Sequence, residues 1–130
     1  MKKFSEFIAE DKEKERKQSF ISTLKNLFVN GFSIRASIHA ASQAFERAKH
    51  MTKERWREFF EKVTSKIKQL KLKDGDYLFY SRKAKQGSVL NLDKDKISLI
   101  TTLPRGKSFP KPGTERMMME EKEYTIIEID

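Results

Sequence analysis

The chain holds two histidines, His39 and His50, and between them lie Gln43 and Arg47, at spacings of four, eight and eleven residues from His39. On an α-helix those spacings keep all four side chains on roughly one face. Imidazole exchanges protons near neutral pH, and a guanidinium holds an anionic oxygen bidentately. A face with both groups suits cleavage of a phosphodiester without a metal. That chemistry needs a base for a 2′-hydroxyl proton, an acid for the leaving 5′-oxygen, and cations for the charged phosphorane.

His39 opens the predicted helix. A helix N-terminus favours nearby anions and disfavours imidazolium, so a base role suits His39 better than an acid role. The plain alternative is a histidine that caps or packs a strand–helix junction. At ~1.5 Å rise per residue, His50 lies about 16 Å further along an intact helix. The two imidazoles therefore cannot share one phosphate, and His50 reads as a partner of the helix C-terminus or as a nucleic-acid contact. Arg47 is the candidate phosphate clamp, its alternative being a local ion pair with Glu46 or Glu54. Tyr80 and Arg82 end an aromatic segment; tyrosine stacks on a base and arginine holds a phosphate, while Tyr80 also suits a core position. Thr101 and Thr102 offer hydroxyls, and Arg105 and Lys107 a cationic loop.

These residues need elements to position them. Residues 5–28 read as helical: Phe4, Phe7 and Ile8 start one apolar stripe and Phe20, Ile21, Leu24, Leu27 and Phe28 form another at helical spacing, around a charged middle. Asn30-Gly31 reads as the helix stop. Phe32–Ile38 alternates as a strand, and the His39 helix follows with Ala40, Ala41, Ala44, Phe45 and Ala48 on its packing side. Thr52 is the expected N-cap of a third helix, whose stripe is Trp56, Phe59, Phe60, Val63, Ile67 and Leu70. Three strands are then predicted, over 76–82, 88–92 and 96–103, with turns at Gln86-Gly87 and over 93–96. In the last, Ile97, Leu99, Thr101 and Leu103 are expected on one face and Ser98, Ile100 and Thr102 on the other. The glycine- and proline-bearing stretch 105–116 reads as a loop, and Tyr124–Ile129 as an edge strand.

With 130 residues one domain is expected. There is no cysteine, which excludes disulfides and thiolate metal sites and fits a reducing cytosol. No apolar run approaches the roughly 20 residues of a membrane span, and no secretory leader is visible. HExxH and Walker motifs are absent too, so neither metal nor cofactor is expected. The formal charge is +9. Positions 31–116 hold 20 basic and 9 acidic residues, whereas 117–130 hold five acidic residues and Lys122 alone. A basic body with an acidic tail points to a polyanionic partner, nucleic acid first.

A strand entering "SIHA", an arginine-bearing helix, a helix opened by threonine, the aromatic strand "GDYLFYSR" and the later "ISLITTLPRGKS" together resemble the barnase, colicin-nuclease and RelE-like superfamily of small metal-independent ribonucleases and toxins, including the RegB-like phage endoribonucleases. The resemblance covers about 31–107. The element order is that of an α+β fold, and the N-terminal helical extension (1–30) and the acidic tail (117–130) lie outside the family pattern; for 31–116 the resemblance implies a RelE/RegB-like domain with a strand and two helices on a curved antiparallel sheet of about four strands. It further implies a cytoplasmic endoribonuclease acting on single-stranded or messenger RNA, with the ribosome or a host protein as further partner. From the residues and the resemblance together, His39, Arg47 and Tyr80 are the catalytic candidates. Gln43, His50, Arg82, Thr101, Thr102, Arg105 and Lys107 are the RNA contacts. In the family segment the histidine is followed by arginines four and eight residues later; Arg47 matches the second, but Gln43 replaces the first. The missing cation keeps a non-catalytic binder of nucleic acid or host protein open on the same fold.

Overall fold

The computed structural model describes residues 4–103, 116–119 and 122–130. Helix α1 spans Phe4–Lys25, strand β1 Phe28–Val29 and β2 Phe32–Ala36; helices α2 (Ile38–Arg47) and α3 (Lys53–Leu70) follow. Then come β3 (Gly75–Ser81), β4 (Gln86–Asp93), β5 (Lys96–Thr102), β6 (Arg116–Met119) and β7 (Lys122–Glu128).

Local chemistry accounts for the helix starts. The Ser37 hydroxyl accepts from the Ala40 N–H at 3.0 Å and opens α2. The Thr52 hydroxyl accepts from the Arg55 N–H at 3.2 Å and opens α3, as its spacing predicts. Lys71 closes α3 in the left-handed region, its N–H turned back on the Ile67 and Lys68 carbonyls. Along α3, Trp56, Phe59, Phe60, Val63 and Ile67 are buried, whereas Leu70 at the end of the stripe is half exposed. Phe20 of α1 packs on Trp56 with ring centroids 6.3 Å apart. Leu24 and Val29 join the same core, so the second half of α1 is integral to it. Ala40, Ala41, Ala44 and Ala48 are buried too. Their small side chains let α2 lie close to the sheet.

The sheet runs β1-β2-β5-β4-β3-β7-β6. This corrects the expectation of an antiparallel sheet of about four strands. Among the described residues it has seven, six of them of four residues or more, and it is mixed: β2 pairs parallel with β5, and β3 with β7. The α2–α3 crossover carries the chain away from β2, so β2 meets a strand that is remote in sequence. Nor is the last strand an edge. Strand β7 lies between β3 and β6, with Ile126 buried in one apolar cluster and Ile127 against the other. Asn30-Gly31 does not stop a helix. Both residues take positive φ and turn the β1–β2 hairpin, the conformation that a two-residue Asn-Gly turn supplies. Gln86-Gly87 is strand, and the turn falls at 82–85.

Successive strand residues point to opposite faces. Phe79, Leu90, Leu92, Ile97 and Leu99 pack with the three helices, while Leu78, Tyr80, Val89, Leu103 and Ile126 form a second cluster on the other face. The register shifts in β5: Leu90 pairs with Leu99 but Val89 with Thr101, leaving Ile100 as an extra, half-exposed residue. That bulge breaks the strict alternation expected over 97–103. Among the described residues no helix is long and apolar enough to cross a membrane.

Candidate functional site

Helix α2 begins two residues after β2 ends, and β5 runs on past β2 as far as Thr102. The polar stripe of α2 therefore meets the last residues of β5. Gln43 Oε1 accepts from the Thr101 hydroxyl at 2.8 Å and from the Thr102 N–H at 3.3 Å. One turn on, an Arg47 Nη donates to the Thr102 carbonyl at 3.0 Å and lies 3.5 Å from the Thr101 hydroxyl. Four expected site residues are thus joined in one network.

The acceptors of Arg47 are neutral. Glu46, its expected alternative partner, instead pairs with Lys17 at 3.0 Å and with Lys49 at 3.8 Å. The Lys17 hydrogen bond, working against a small burial effect, lowers the Glu46 carboxyl below its ordinary value. Among the described residues Arg47 forms no ion pair, so its charge is not cancelled. His39 lies one turn before Gln43 on the same face, is exposed, and makes no hydrogen bond among the described residues.

His50 does not continue this face. Helix α2 ends at Arg47, Ala48 is its C-cap, and the Met51 N–H bonds back to the Ala48 carbonyl. The chain turns there, and the intact helix expected through His50 does not form. His50 Nε2 sits 3.1 Å from the Ala84 carbonyl in the β3–β4 turn, and its Nδ1 is buried without a partner. The His50 carbonyl accepts from Arg55 at 3.1 Å.

Tyr80 and Arg82 are not brought to the α2–β5 network. Tyr80 is 1% exposed in the cluster on the far face of the sheet. Arg82 lies 5.1 Å over its ring and pairs with Glu128 at 3.0 Å. Burial above all, then the Glu128 charge, pushes the Tyr80 phenol above its ordinary value of 10.0 despite Arg82. Tyr80 thus sits in the cluster on the other face of the sheet from the one on which α2 packs, apart from His39 and Arg47. The segment Tyr77-Leu78-Phe79-Tyr80 is apolar throughout. Its sequence thus gave no phase by which to assign faces. Arg105 and Lys107 lie outside the described residues.

Residues not singled out from the sequence gather around His50. A cleft of about 360 Å³ is lined by Arg55, Lys62, Ser81, Lys83 and Lys85 with His50. At its end the Asp130 carboxylate accepts from the Ser81 hydroxyl at 2.9 Å, the Lys83 N–H at 2.9 Å and Lys62 Nζ at 3.0 Å. Burial pushes the Asp130 carboxyl up, but these donors together outweigh it and hold the group below its usual value. Only the density of lysine around Arg82 hinted at this cleft; its contacts join residues up to 68 positions apart. Among the described residues no group of three or more histidines or carboxylates is placed to hold a metal ion.

Comparison with protein-family models, curated proteins and solved structures finds no significant match to the chain.

Proposed function

We propose that the protein binds single-stranded or messenger RNA along the α2–β5 edge and cleaves it without a metal. Arg47 carries this reading: a guanidinium with no carboxylate partner among the described residues, held in place by neutral oxygens of β5. It lies on the face of α2 that carries the exposed His39 two turns earlier. In the reaction His39 takes the 2′-hydroxyl proton. The 2′-oxygen then attacks phosphorus, and the 5′-oxygen leaves and takes a proton from water. Arg47 stabilises the extra charge on the phosphorane. Gln43 positions Arg47 through the shared β5 contacts and keeps its amide N–H groups for the substrate. The basic surplus over 31–116 draws the polyanion in.

A second reading is favoured by one observation. With Gln43 in place of an arginine and His50 off the helix, the site has one imidazole and one guanidinium. That set binds a phosphate but lacks a second proton-transfer group, which suits a non-catalytic RNA binder.

Incubation of labelled mRNA with the protein in EDTA, beside His39→Ala, separates the two. Cleavage that disappears in the variant supports the nuclease; salt-sensitive binding without cleavage supports the binder. Absence of RNA binding near physiological salt overturns both.

A further inference from the structure

We infer that the His50 cleft is a second phosphate-binding site, which takes the RNA backbone as it leaves the α2–β5 edge; this rests on the RNA reading above. Arg55, Glu58 and Lys62 fall on one face of α3 at spacings of three and four and form one wall. The β3–β4 turn, with Lys83 and Lys85, forms the other. The two acidic groups at the cleft, Glu58 and Asp130, both engage Lys62, at 3.8 and 3.0 Å. Arg55, Lys83 and Lys85 make no ion pair among the described residues, so three cations face a concave wall with their charge uncancelled. Four cationic side chains, Arg55, Lys62, Lys83 and Lys85, against Glu58 and Asp130 leave the cleft net positive, which favours an incoming anion.

The end of the cleft already receives an anion. The Asp130 carboxylate is met there by a backbone N–H, a hydroxyl and an ammonium group together. The same kinds of donor recognise a phosphate oxygen.

Position makes the occupant a phosphodiester chain. Thr102, which holds Arg47, pairs with Ser88 of β4, and Gln86 of that strand pairs with Ser81 of β3. Two strand spacings, about 10 Å across the sheet, and two residues, about 7 Å along β4, thus separate the α2–β5 network from the cleft. A short run of nucleotides spans that distance, and His50, anchored on Ala84, lines the cleft end of the path.

The test uses a 2′-O-methyl oligoribonucleotide, which keeps the phosphates and blocks the attacking oxygen. The chain has only two histidines, so each site has its own imidazole signal by NMR. Both are expected to move over the same range of oligonucleotide concentration. Movement of His39 alone overturns the cleft and leaves the α2–β5 reading intact. Movement of His50 alone keeps the cleft and overturns that reading; movement of neither overturns both. Replacing Lys83 and Lys85 by Gln is expected to weaken binding about tenfold and to flatten the dependence of log K on log salt by about 1.4, at about 0.7 per phosphate contact. The same change at Lys94 and Lys96, in the turn at the opposite ends of β4 and β5, is expected to leave both unchanged. Equal loss from the two pairs overturns the proposal.

Discussion

Gln43 Oε1 of α2 stands 2.8 Å from the Thr101 hydroxyl of β5. The same oxygen receives the N–H of Thr102, a residue with no exposed surface. One side-chain amide thus ties the helix that carries His39 to the strand that seats Arg47.

Gln43→Ala removes that acceptor and leaves the Thr102 N–H without it. A buried donor left unpaired costs about 1–3 kcal/mol. Urea denaturation should show a loss of that size, and RNA binding should weaken as Arg47 loses its fixed seat. Unchanged stability would mean that the contact contributes nothing.

Arg47→Lys keeps the charge and gives up the planar fork. RNA affinity should survive, with its salt dependence unaltered, while the cleavage rate in EDTA falls about 100-fold, the effect of losing one donor to the developing charge. In Arg47→Ala the salt slope should also fall by about 0.7. If Lys cleaves as fast as Arg, the guanidinium has no role beyond its charge.

Asp130 gives a pH dependence of known sign. Its carboxyl is held below the ordinary value of 3.8, so the unfolded chain takes the proton first as pH falls. The stability it contributes is complete above that value and is lost as pH drops through the lower, folded one. Denaturation midpoints followed into acid should fall more steeply for the native protein than for Asp130→Asn. Parallel curves would show that the carboxylate is not stabilised by Ser81, Lys83 and Lys62.

Gly87→Ala tests the second cluster. A Cβ there would sit 2.8 Å from Leu103 Cδ1 and 3.4 Å from Tyr80 Cβ. Leu103 is buried and has little room to yield, so overpacking should destabilise by about 1–3 kcal/mol. Shortening the obstructing side chain in Gly87→Ala/Leu103→Ala should give a loss smaller than the sum of the single changes. A strictly additive pair would mean that the two positions do not meet.

What the sequence determined by itself is local. The N-cap at Thr52, the buried stripe of α3, the alanine face of α2 and the polar spacing of His39, Gln43 and Arg47 each depend on residues three or four apart, where helix geometry decides everything. The chain also carried its basic body openly in its composition. Tertiary structure alone decided the rest. It set β2 beside β5, slid β7 in beside β3, and turned Asn30-Gly31 into a hairpin. It ended α2 before His50 and sent Tyr80 to the far face. Each outcome is a competition for partners between segments remote along the chain. Strands apolar on both faces carry no periodic mark of which side they will bury or which neighbour they will pair with.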